Sequence, residues 1–382
     1  MHLGGRNLNA LLHPDDVPLF AYHAGRVADN RNRVVAALTR NGVRHRLLYA
    51  LKANRFVPLL TFMKLRGLCG IDVCSPGELL LALQVGFKEE DISWTSTSLD
   101  SRDLACLAVH PRVAVNCDSF DSIRRLAVAS PKRAIGLRIN PDLGLSYRSL
   151  AKLRYSGNAT KFGIYQDRFR EALALARELG MTIEGLHFHC GCGYLTPQLE
   201  RWQEILEAAQ SFVRSAGPLR YVNVGGGLGV PMTAEDEPVD LDRWADLIRR
   251  HLGGGETEVW VEPGTFLVMD SGVLLVRVSS VEQRCGTRFA TVNAGFNVMI
   301  EPAMYDMPPT VAPLALPRSH DPWERVTVAG NINEALDVFA VDVELPALAP
   351  GDRLALLNAG AYASSMSSNH CLRGTFAEYL IA

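Results

Sequence analysis

The sequence predicts an α/β protein with a (β/α)8 TIM barrel followed by a β-rich domain. Up to about residue 270, short apolar or β-branched runs alternate with helical patterns. Beyond that point the character changes to β-rich segments punctuated by Pro and Gly. The chain has 382 residues, 48% of them hydrophobic and 21% charged, so two domains with a large core are expected.

Eight candidate strands follow one another from residue 46 onwards. They are 46–53, 69–75, 92–97, 113–119, 134–140, 183–190, 219–227 and 258–264. Most are separated by stretches with apolar residues at helical spacing, which favours parallel pairing because parallel strands need a crossover connection. In such a barrel the catalytic groups gather at the C-terminal ends of the strands.

The β-rich segments after residue 270 predict a second domain that is barrel-like or sandwich-like. GVLLVRVSSVEQR at 272–284 is one of them. We expect the first residues of the chain to pair with this part. The predicted domains are therefore 28–270 for the barrel, and 1–27 with 271–382 for the β-rich domain.

Charge and hydropathy argue against nucleic-acid and membrane partners. Lys and Arg total 39 against 41 for Asp and Glu, a formal net charge of −2, which gives no general attraction to nucleic acid or anionic membranes. No apolar run approaches the roughly 18 to 20 residues of a spanning helix, and the start lacks a signal peptide's apolar stretch. We expect a soluble, cytoplasmic protein.

The eight cysteines form no CxxC pair, so reduced thiols are expected. The tightest cluster of soft ligands is HFHCGC at 187–192. If this segment is a strand, His187 and His189 project from one face and Cys190 and Cys192 from the other, because side chains alternate. We therefore expect no metal site.

Several chemically active residues stand at the predicted strand ends and point to one barrel mouth. Lys52 ends the first strand, Asp72 lies in the second and His189 in the sixth. A buried ammonium is costly unless its pKa falls or it is used covalently, which makes Schiff-base chemistry plausible. A lysine that simply extends its stem to solvent is the alternative reading.

The last two strand ends carry Gly225–Gly227 and Glu262. The glycines let backbone N–H groups approach an anion, although a Gly cluster is also an ordinary turn. The glutamate suits a protonated ring nitrogen, although it would equally suit a salt bridge inside the barrel. An amine for imine formation, glycines for phosphate, an imidazole to stack and this carboxylate together describe a pyridoxal 5′-phosphate site.

Motifs along nearly the whole chain carry a family resemblance. The motifs are YALKAN at 49–54, DVCSPGEL at 72–79, KFGI at 161–164, GLHFHCGC at 185–192, GGGLG at 225–229, EPG at 262–264 and GAYASSMSSNHCLRGTFAEYLI at 360–381. With them the chain resembles the barrel-type PLP-dependent amino-acid decarboxylases, the family of diaminopimelate, ornithine and arginine decarboxylases, which share the alanine-racemase-like fold. The resemblance implies a head-to-tail homodimer whose two active sites are built from both subunits.

The resemblance also implies roles for individual residues. Lys52 forms the imine with the cofactor, His189 stacks on its ring and Glu262 keeps the pyridine nitrogen protonated. Tyr362 reaches the phosphate and, with Asn333 and Glu334, is expected to come from the neighbouring subunit. The remaining expected cofactor contacts are Asp72, Gly225, Gly226, Gly227 and Gly264. Alanine racemases place an Arg near the pyridine nitrogen, so Glu262 argues against racemisation.

The first departure from the family concerns the proton donor. The family's segment resembles GPxCESxD, whereas this chain reads GNINEALD at 330–337, with Asn333 in the place of the catalytic Cys. An amide is no useful acid. Either Lys52, His370, Cys371 or water delivers the proton, or protonation occurs at the cofactor and the outcome is decarboxylative transamination.

Three further departures alter the surroundings of phosphate and substrate. Thr265 in EPGT replaces an Arg near the phosphate, and Glu301 in IEPAMYD replaces an Arg for a substrate carboxylate. His370 and Cys371 replace an aromatic and Asn pair in the tail. The residues expected to bind substrate are Glu301, Tyr305, Glu334, His370 and Cys371.

The acidic pocket favours a cationic or polar amino substrate, since Glu301 would repel a distal carboxylate. The leading hypothesis is a PLP-dependent decarboxylase of a specialised amino acid, free or carrier-linked, in biosynthesis. The alternatives are diaminopimelate decarboxylase, a decarboxylative transaminase, and a catalytically reduced PLP-binding homologue that regulates a partner.

Overall fold

A computed structural model describes residues 1–11, 16–253, 255–315 and 322–382. Its strands are β1 (His2–Leu3), β2 (Arg6–Asn7), β3 (Leu19–His23), β4 (His45–Ala50), β5 (Gly70–Val73), β6 (Ile92–Thr95), β7 (Ala114–Cys117), β8 (Ala134–Asn140), β9 (Ile164–Tyr165), β10 (Thr182–His187), β11 (Tyr221–Asn223), β12 (Glu258–Val261), β13 (Gly272–Arg284), β14 (Thr287–Val292), β15 (Val311–Pro313), β16 (Trp323–Ala329), β17 (Val338–Pro346), β18 (Arg353–Leu356) and β19 (Ala377–Ile381).

The α-helices cover the outside of the barrel or connect its strands to the second domain. They are α1 (Ala24–Arg40), α2 (Val57–Leu65), α3 (Pro76–Val85), α4 (Ser101–Val109), α5 (Phe120–Ala129), α6 (Gln166–Glu178), α7 (Leu199–Ala216), α8 (Leu241–His251), α9 (Thr265–Val268) and α10 (Glu301–Tyr305). None of the described helices is long and apolar enough to cross a membrane.

Eight parallel strands close a barrel within the described residues. Strand β4 pairs with β5, and the ladder continues through β6, β7, β8, β10, β11 and β12 back to β4. The predicted (β/α)8 barrel with a β-rich second domain is thus confirmed. The observed strands lie within or close to the eight predicted segments, but most end earlier.

Local sequence signals set the boundaries of the helices that follow the strands. Helix α3 begins after Ser75, whose hydroxyl accepts a hydrogen bond from the Glu78 backbone N–H, and Pro76 occupies its first turn. It ends at Gly86, whose φ of 102° lies in the left-handed region that only glycine adopts without strain. Such short, well-capped helices return the chain quickly to the next parallel strand.

The interior of the barrel is filled at its N-terminal end, which leaves the other end for chemistry. The rings of Tyr221 and Trp260 stack with centroids 3.8 Å apart. A side chain at Gly136 or Gly185 would collide with Tyr221, so the bare backbone there makes room for the stacked pair. The stacked pair fills part of the barrel interior, and the residues that line the open cavities lie toward the C-terminal ends of the strands.

The second domain is organised around the long strand β13. Its sheet has the order β15, β18, β13, β14, β16 and β17, and β3 pairs antiparallel with β13 and parallel with β19. A strand from before the barrel therefore joins the sheet that follows it. This pairing supports the predicted division into 28–270 and 1–27 with 271–382, which stays a prediction.

Candidate active site

Lys52 stands in a short 3-10 turn directly after β4, with its amine at the C-terminal mouth of the barrel. Its Nζ donates to Asp72 Oδ2 on the neighbouring strand β5 at 3.0 Å. Burial alone would lower the pKa of the amine, but the Asp72 carboxylate and other acidic neighbours raise it well above its ordinary value. Strand β4 ends at Ala50, earlier than the predicted strand 46–53, so Lys52 lies just beyond the strand and pairs with Asp72.

Asp72 itself has spare hydrogen-bonding capacity. Its Oδ1 is buried and has no hydrogen-bond partner among the described residues. Burial, with the nearby Glu262 carboxylate, raises the pKa of Asp72 to about 6. An unpaired buried oxygen is costly, so a ligand that donates a hydrogen bond here would be favoured.

Glu262 is held in one orientation by two side chains that the sequence analysis did not assign to it. Its Oε1 accepts from Asn223 Nδ2 at 2.5 Å, and its Oε2 lies 3.0 Å from His187 Nε2. Burial lowers the pKa of His187, so this imidazole is neutral and donates from Nε2 to the carboxylate. Both partners are polar residues at the ends of apolar strands, which is the signal that could have found them.

His189 lies in the loop beyond β10, where its ring faces the cavity. The Gly226 N–H donates to His189 Nδ1 at 3.3 Å, and Cys192 Sγ lies 3.7 Å from Nε2. Burial, with the Lys52 amine, lowers the pKa of His189, which keeps the ring neutral. The strand alternation expected for 187–192 is wrong because β10 ends at His187, so His189 and Cys192 approach each other.

The glycines of the site keep backbone exposed where side chains would not fit. A Cβ on Gly226 would collide with the Glu262 carbonyl, and one on Gly227, where φ is 101°, with the Gly191 carbonyl. A Cβ on Gly264 would lie 3.1 Å from the Tyr362 hydroxyl. Bare backbone at Gly226, Gly227 and Gly264 therefore forms part of the wall of the site.

Tyr362 belongs to the site of its own chain, and the expectation that it enters the neighbouring subunit's site is wrong. Its backbone N–H donates to the Ala53 carbonyl at 2.8 Å, and its ring lines the cavities that contain Lys52. Its φ of 59° lies in the left-handed region, a strained conformation for tyrosine that directs the chain toward the barrel mouth.

Two adjoining cavities surround these residues. A cavity of about 740 Å³ opens at the barrel mouth, and a narrower one of about 70 Å³ lies deeper. Arg138, buried on β8, lines both and was missed because it sits within an apolar strand. The residues that line the deeper cavity are Ala50, Lys52, Asp72, Thr95, Arg138, His187, His189, Cys192, Gly226, Gly227, Glu262, Gly264, Thr265 and Tyr362.

Glu301 and Tyr305 border a third, small cavity that shares walls with the large one. Glu301 is only 3% exposed, and neither of its carboxylate oxygens has a hydrogen-bond partner among the described residues. Burial raises the pKa of its carboxyl to about 8. The group is therefore mostly protonated at neutral pH in the absence of a ligand.

This buried carboxyl predicts a pH-dependent stability. In the folded protein the Glu301 carboxyl keeps its proton up to a pKa of about 8, whereas in the unfolded chain it releases that proton near the ordinary pKa of 4.5. The contribution of this group to the free energy of unfolding therefore falls as pH rises from about 4.5 to about 8. Glu301→Gln is expected to raise the melting temperature by several degrees more near pH 8.5 than near pH 5. Thermal melts at the two pH values measure this, with the exposed Asp306→Asn as control. Equal shifts at both pH values would contradict it.

Four predicted site residues lie outside these cavities. Asn333, Glu334, His370 and Cys371 are exposed on the β-rich domain, and His370 Nε2 contacts Glu334 Oε1 at 3.4 Å. They line none of the three cavities described for their own chain. As for metals, the described residues contain no group of three or more His, Cys, Asp or Glu side chains placed to hold an ion.

Comparison with known proteins identifies the family. Residues 25–269 match the pyridoxal binding domain of the pyridoxal-dependent decarboxylases. The chain belongs to this family. It is 33% identical to the diaminopimelate decarboxylase of Methanothermobacter thermautotrophicus over 390 residues, covering 99% of this chain and 90% of that protein. The diaminopimelate decarboxylase of Escherichia coli (strain K12) is 33% identical, and the match covers 95% of this chain and 88% of that protein.

Solved structures agree with the family assignment. The diaminopimelate decarboxylase of Helicobacter pylori, complexed with L-lysine, superimposes with a TM-score of 0.85 at 26% identity, covering 98% of this chain and 93% of that one. An arginine decarboxylase of Paramecium bursaria Chlorella virus shares the fold, with a TM-score of 0.86 at 21% identity and 97% of each chain covered. This decarboxylase is thus a carboxy-lyase that uses pyridoxal 5′-phosphate, as the sequence predicted.

The residues present fit that cofactor. Lys52 places a primary amine in the cavity, the Gly226–Gly227 backbone admits a bulky anion, and Asp72 Oδ1 is a buried acceptor without a partner. Glu262 offers an oriented carboxylate deeper in the same cavity. The decarboxylase therefore has a donor set suited to an aldehyde, a phosphate and a pyridinium nitrogen.

Proposed function

We propose that this decarboxylase acts on a specialised amino acid with a cationic or polar side chain, in a biosynthetic reaction. The observation that carries the proposal is Glu301, an acidic group buried in the wall of a cavity that adjoins the Lys52 site. A substrate with a distal carboxylate would place two acidic groups together in a site of low dielectric. A distal cation or hydrogen-bond donor would satisfy the carboxyl instead.

We propose that Lys52 holds the cofactor covalently, while the Gly226–Gly227 backbone and the Tyr362 hydroxyl bind its phosphate. His189 would then stack on its ring, and Glu262 would keep its pyridine nitrogen protonated. When bound, pyridoxal 5′-phosphate supplies a protonated ring that takes up the electrons released as CO2 leaves.

The role of Glu262 depends on its remaining ionised. The hydrogen bonds that Asn223 and His187 donate to Glu262 stabilise its ionised carboxylate over the protonated acid. They also hold both carboxylate oxygens in place. Burial raises the pKa of Glu262, whereas the nearby Lys52 amine lowers it. An anion in this position can keep a ring nitrogen protonated, which is the state that favours decarboxylation over racemisation.

We also propose a homodimer in which the neighbouring subunit supplies Asn333 and Glu334. The loop that carries them is held by Asp337, whose carboxylate accepts backbone N–H bonds from Phe296 and Ile332, both at 2.6 Å. Beside this loop two large apolar side chains are exposed, Leu336 at 51% and Leu372 at 84%. Exposed apolar side chains on a hydrogen-bonded loop are typical of a surface that a second copy covers.

Mixing inactive variants tests the shared site. Lys52→Ala and Glu334→Ala chains, once exchanged, should recover up to about a quarter of wild-type activity, because half the dimers are mixed and each has one intact site. Lys52→Ala mixed with Tyr362→Ala should recover none, since both residues belong to one chain's site. If native mass spectrometry shows exchanged chains and the first mixture stays inactive, the shared site is wrong.

A screen for CO2 release by the cofactor-loaded protein tests the substrate class. It should include ornithine, lysine, arginine, polar amino acids, carrier-linked amino acids and meso-diaminopimelate. We expect a cationic or polar substrate to exceed meso-diaminopimelate by about tenfold or more in kcat/KM, because the described lining of the cavity beside Glu301 offers no cation to neutralise a distal carboxylate. If meso-diaminopimelate is the best substrate, the protein is a diaminopimelate decarboxylase like its relatives. Cofactor binding without CO2 release from any compound would support the regulatory alternative.

A further inference from the structure

The cavity beside Glu301 is small, and most of its lining is apolar or aromatic. It measures about 60 Å³, which accommodates a compact terminal group but little more. Its walls include the aliphatic or thioether side chains of Leu153, Met269 and Met307. No Lys or Arg side chain is among its described lining residues. A methylene chain would therefore find contacts along the walls, and nothing there would neutralise a second carboxylate.

Aromatic rings complete the enclosure. The rings of Tyr155, Tyr305 and Tyr362 line this cavity and also line the large cavity that contains Lys52. Aromatic faces attract ammonium groups, and the attraction is stronger when water is excluded. A ligand held at Lys52 could thus extend its distal end past these rings to Glu301.

We infer that this cavity binds the primary ammonium at the end of an unbranched substrate side chain, with Glu301 as the specificity-determining residue. The inference rests on the proposed function. An ammonium satisfies both orphan oxygens of Glu301, whereas a methyl end would leave them unpaired. A guanidinium is planar and has five donors in a wide fork, which a hollow of about 60 Å³ with one acidic group does not match.

Binding of the ammonium is coupled to loss of a proton. Before binding the carboxyl is mostly protonated, because burial raises the pKa of Glu301 to about 8 and no charged neighbour offsets it. Burial likewise raises the pKa of Tyr305, of Tyr362 and of Cys192, the last to about 11, so these wall groups stay neutral. The pKa of Tyr155 is raised by Cys192 and by burial. The protonated carboxyl and the ammonium give the ion pair, and the carboxyl proton passes to solvent.

Calorimetric titration of the cofactor-loaded protein with matched probes tests the subsite. The probes are α,ω-diamines of three to six carbons, each compared with the n-alkylamine in which a methyl replaces the second amine. We expect at least one diamine to bind on the order of 10- to 100-fold more tightly than its matched alkylamine. Titrations near pH 7 in two buffers of different ionisation enthalpy should show up to about one more proton released with that diamine than with the alkylamine.

Two variants separate the subsite from general effects. Glu301→Gln, which is nearly isosteric, should reduce the diamine preference to about threefold or less and remove the extra proton release. Asp306→Asn should retain both, because Asp306 is an exposed carboxylate that pairs with Lys152 outside the cavity. Cofactor absorbance and circular dichroism confirm that each variant is loaded and folded.

The outcomes distinguish this inference from the proposed function. A loaded wild-type protein that binds every diamine and alkylamine equally overturns the ammonium subsite, and so does a preference that survives in Glu301→Gln. Tighter binding of 5-aminopentanoate than of 1,5-diaminopentane would overturn it as well. If the diamine preference is found but no amino acid releases CO2, the subsite stands and the proposed activity fails.

Discussion

Lys52→Ala is expected to lower kcat by about 10²- to 10⁴-fold or more and to abolish covalent retention of the cofactor. Lys52 is the one primary amine among the described residues that line the large and the deeper cavity. Its loss also leaves Asp72 buried without its cation, which weakens the site further. Borohydride reduction followed by peptide mass spectrometry measures the covalent bond, and CO2 release measures kcat.

The matched control is Lys88→Ala, which removes an exposed lysine that is not among the described residues lining either cavity. The wild type should show visible absorbance of the lysine-bound cofactor, with the adduct on the peptide that contains Lys52. An adduct on any other lysine, or a Lys52→Ala variant that keeps wild-type kcat, would contradict the assignment of Lys52.

The barrel could be predicted because the alternation of apolar runs and helical patterns repeats eight times. The ends of the strands could not. The run around Lys52 stays apolar to residue 53, although hydrogen bonding in β4 stops at Ala50, where the chain turns into a 3-10 turn. The apolar pattern indicates which residues are buried, and turn residues packed at the barrel mouth are buried as well. The pattern therefore does not show where the strand ends and the turn begins.

The core of the site could be predicted from polar residues at apolar strand ends. The supports of Glu262 could not, because His187 and Asn223 lie 75 and 39 residues away from it along the chain. Arg138 was missed for a related reason, since its guanidinium is buried within a strand rather than at its end. Contacts of this kind depend on the register of the closed barrel, which no local pattern specifies.

Which subunit's active site a residue enters is harder still to predict from the sequence. Tyr362 and Glu334 are both distant from the barrel in sequence, yet the tyrosine lies at its own chain's Lys52 and the glutamate on the exposed surface. The difference arises from the backbone at 362, which bonds to Ala53 and turns inward. That conformation follows from how the two domains pack against each other, and the sequence of the tail alone does not reveal it.

Asn333→Cys is expected to shift the products toward simple amine and to raise the rate of amine formation by about 10²- to 10⁴-fold if no other acid has taken over the role. The substrate carbon that loses CO2 must receive a proton to become the amine, and an amide cannot donate one at neutral pH. The wild type should therefore release part of its product as a carbonyl compound, with the amino group left on the cofactor as pyridoxamine phosphate. Product analysis by mass spectrometry in D2O measures the partition.

The position of Asn333 makes the outcome informative. In a single chain it is exposed and lines none of the three described cavities, so a gain from Asn333→Cys requires that the loop enter a neighbour's site. The matched control is Asn333→Ser, because serine is similar in size to cysteine but its hydroxyl is a poor acid. This variant should not shift the products. Amine-only products from both the wild type and Asn333→Cys would mean that another acid already serves. His370→Ala and Cys371→Ala then decide between the two nearest candidates, since His370 already contacts Glu334 in the same exposed surface.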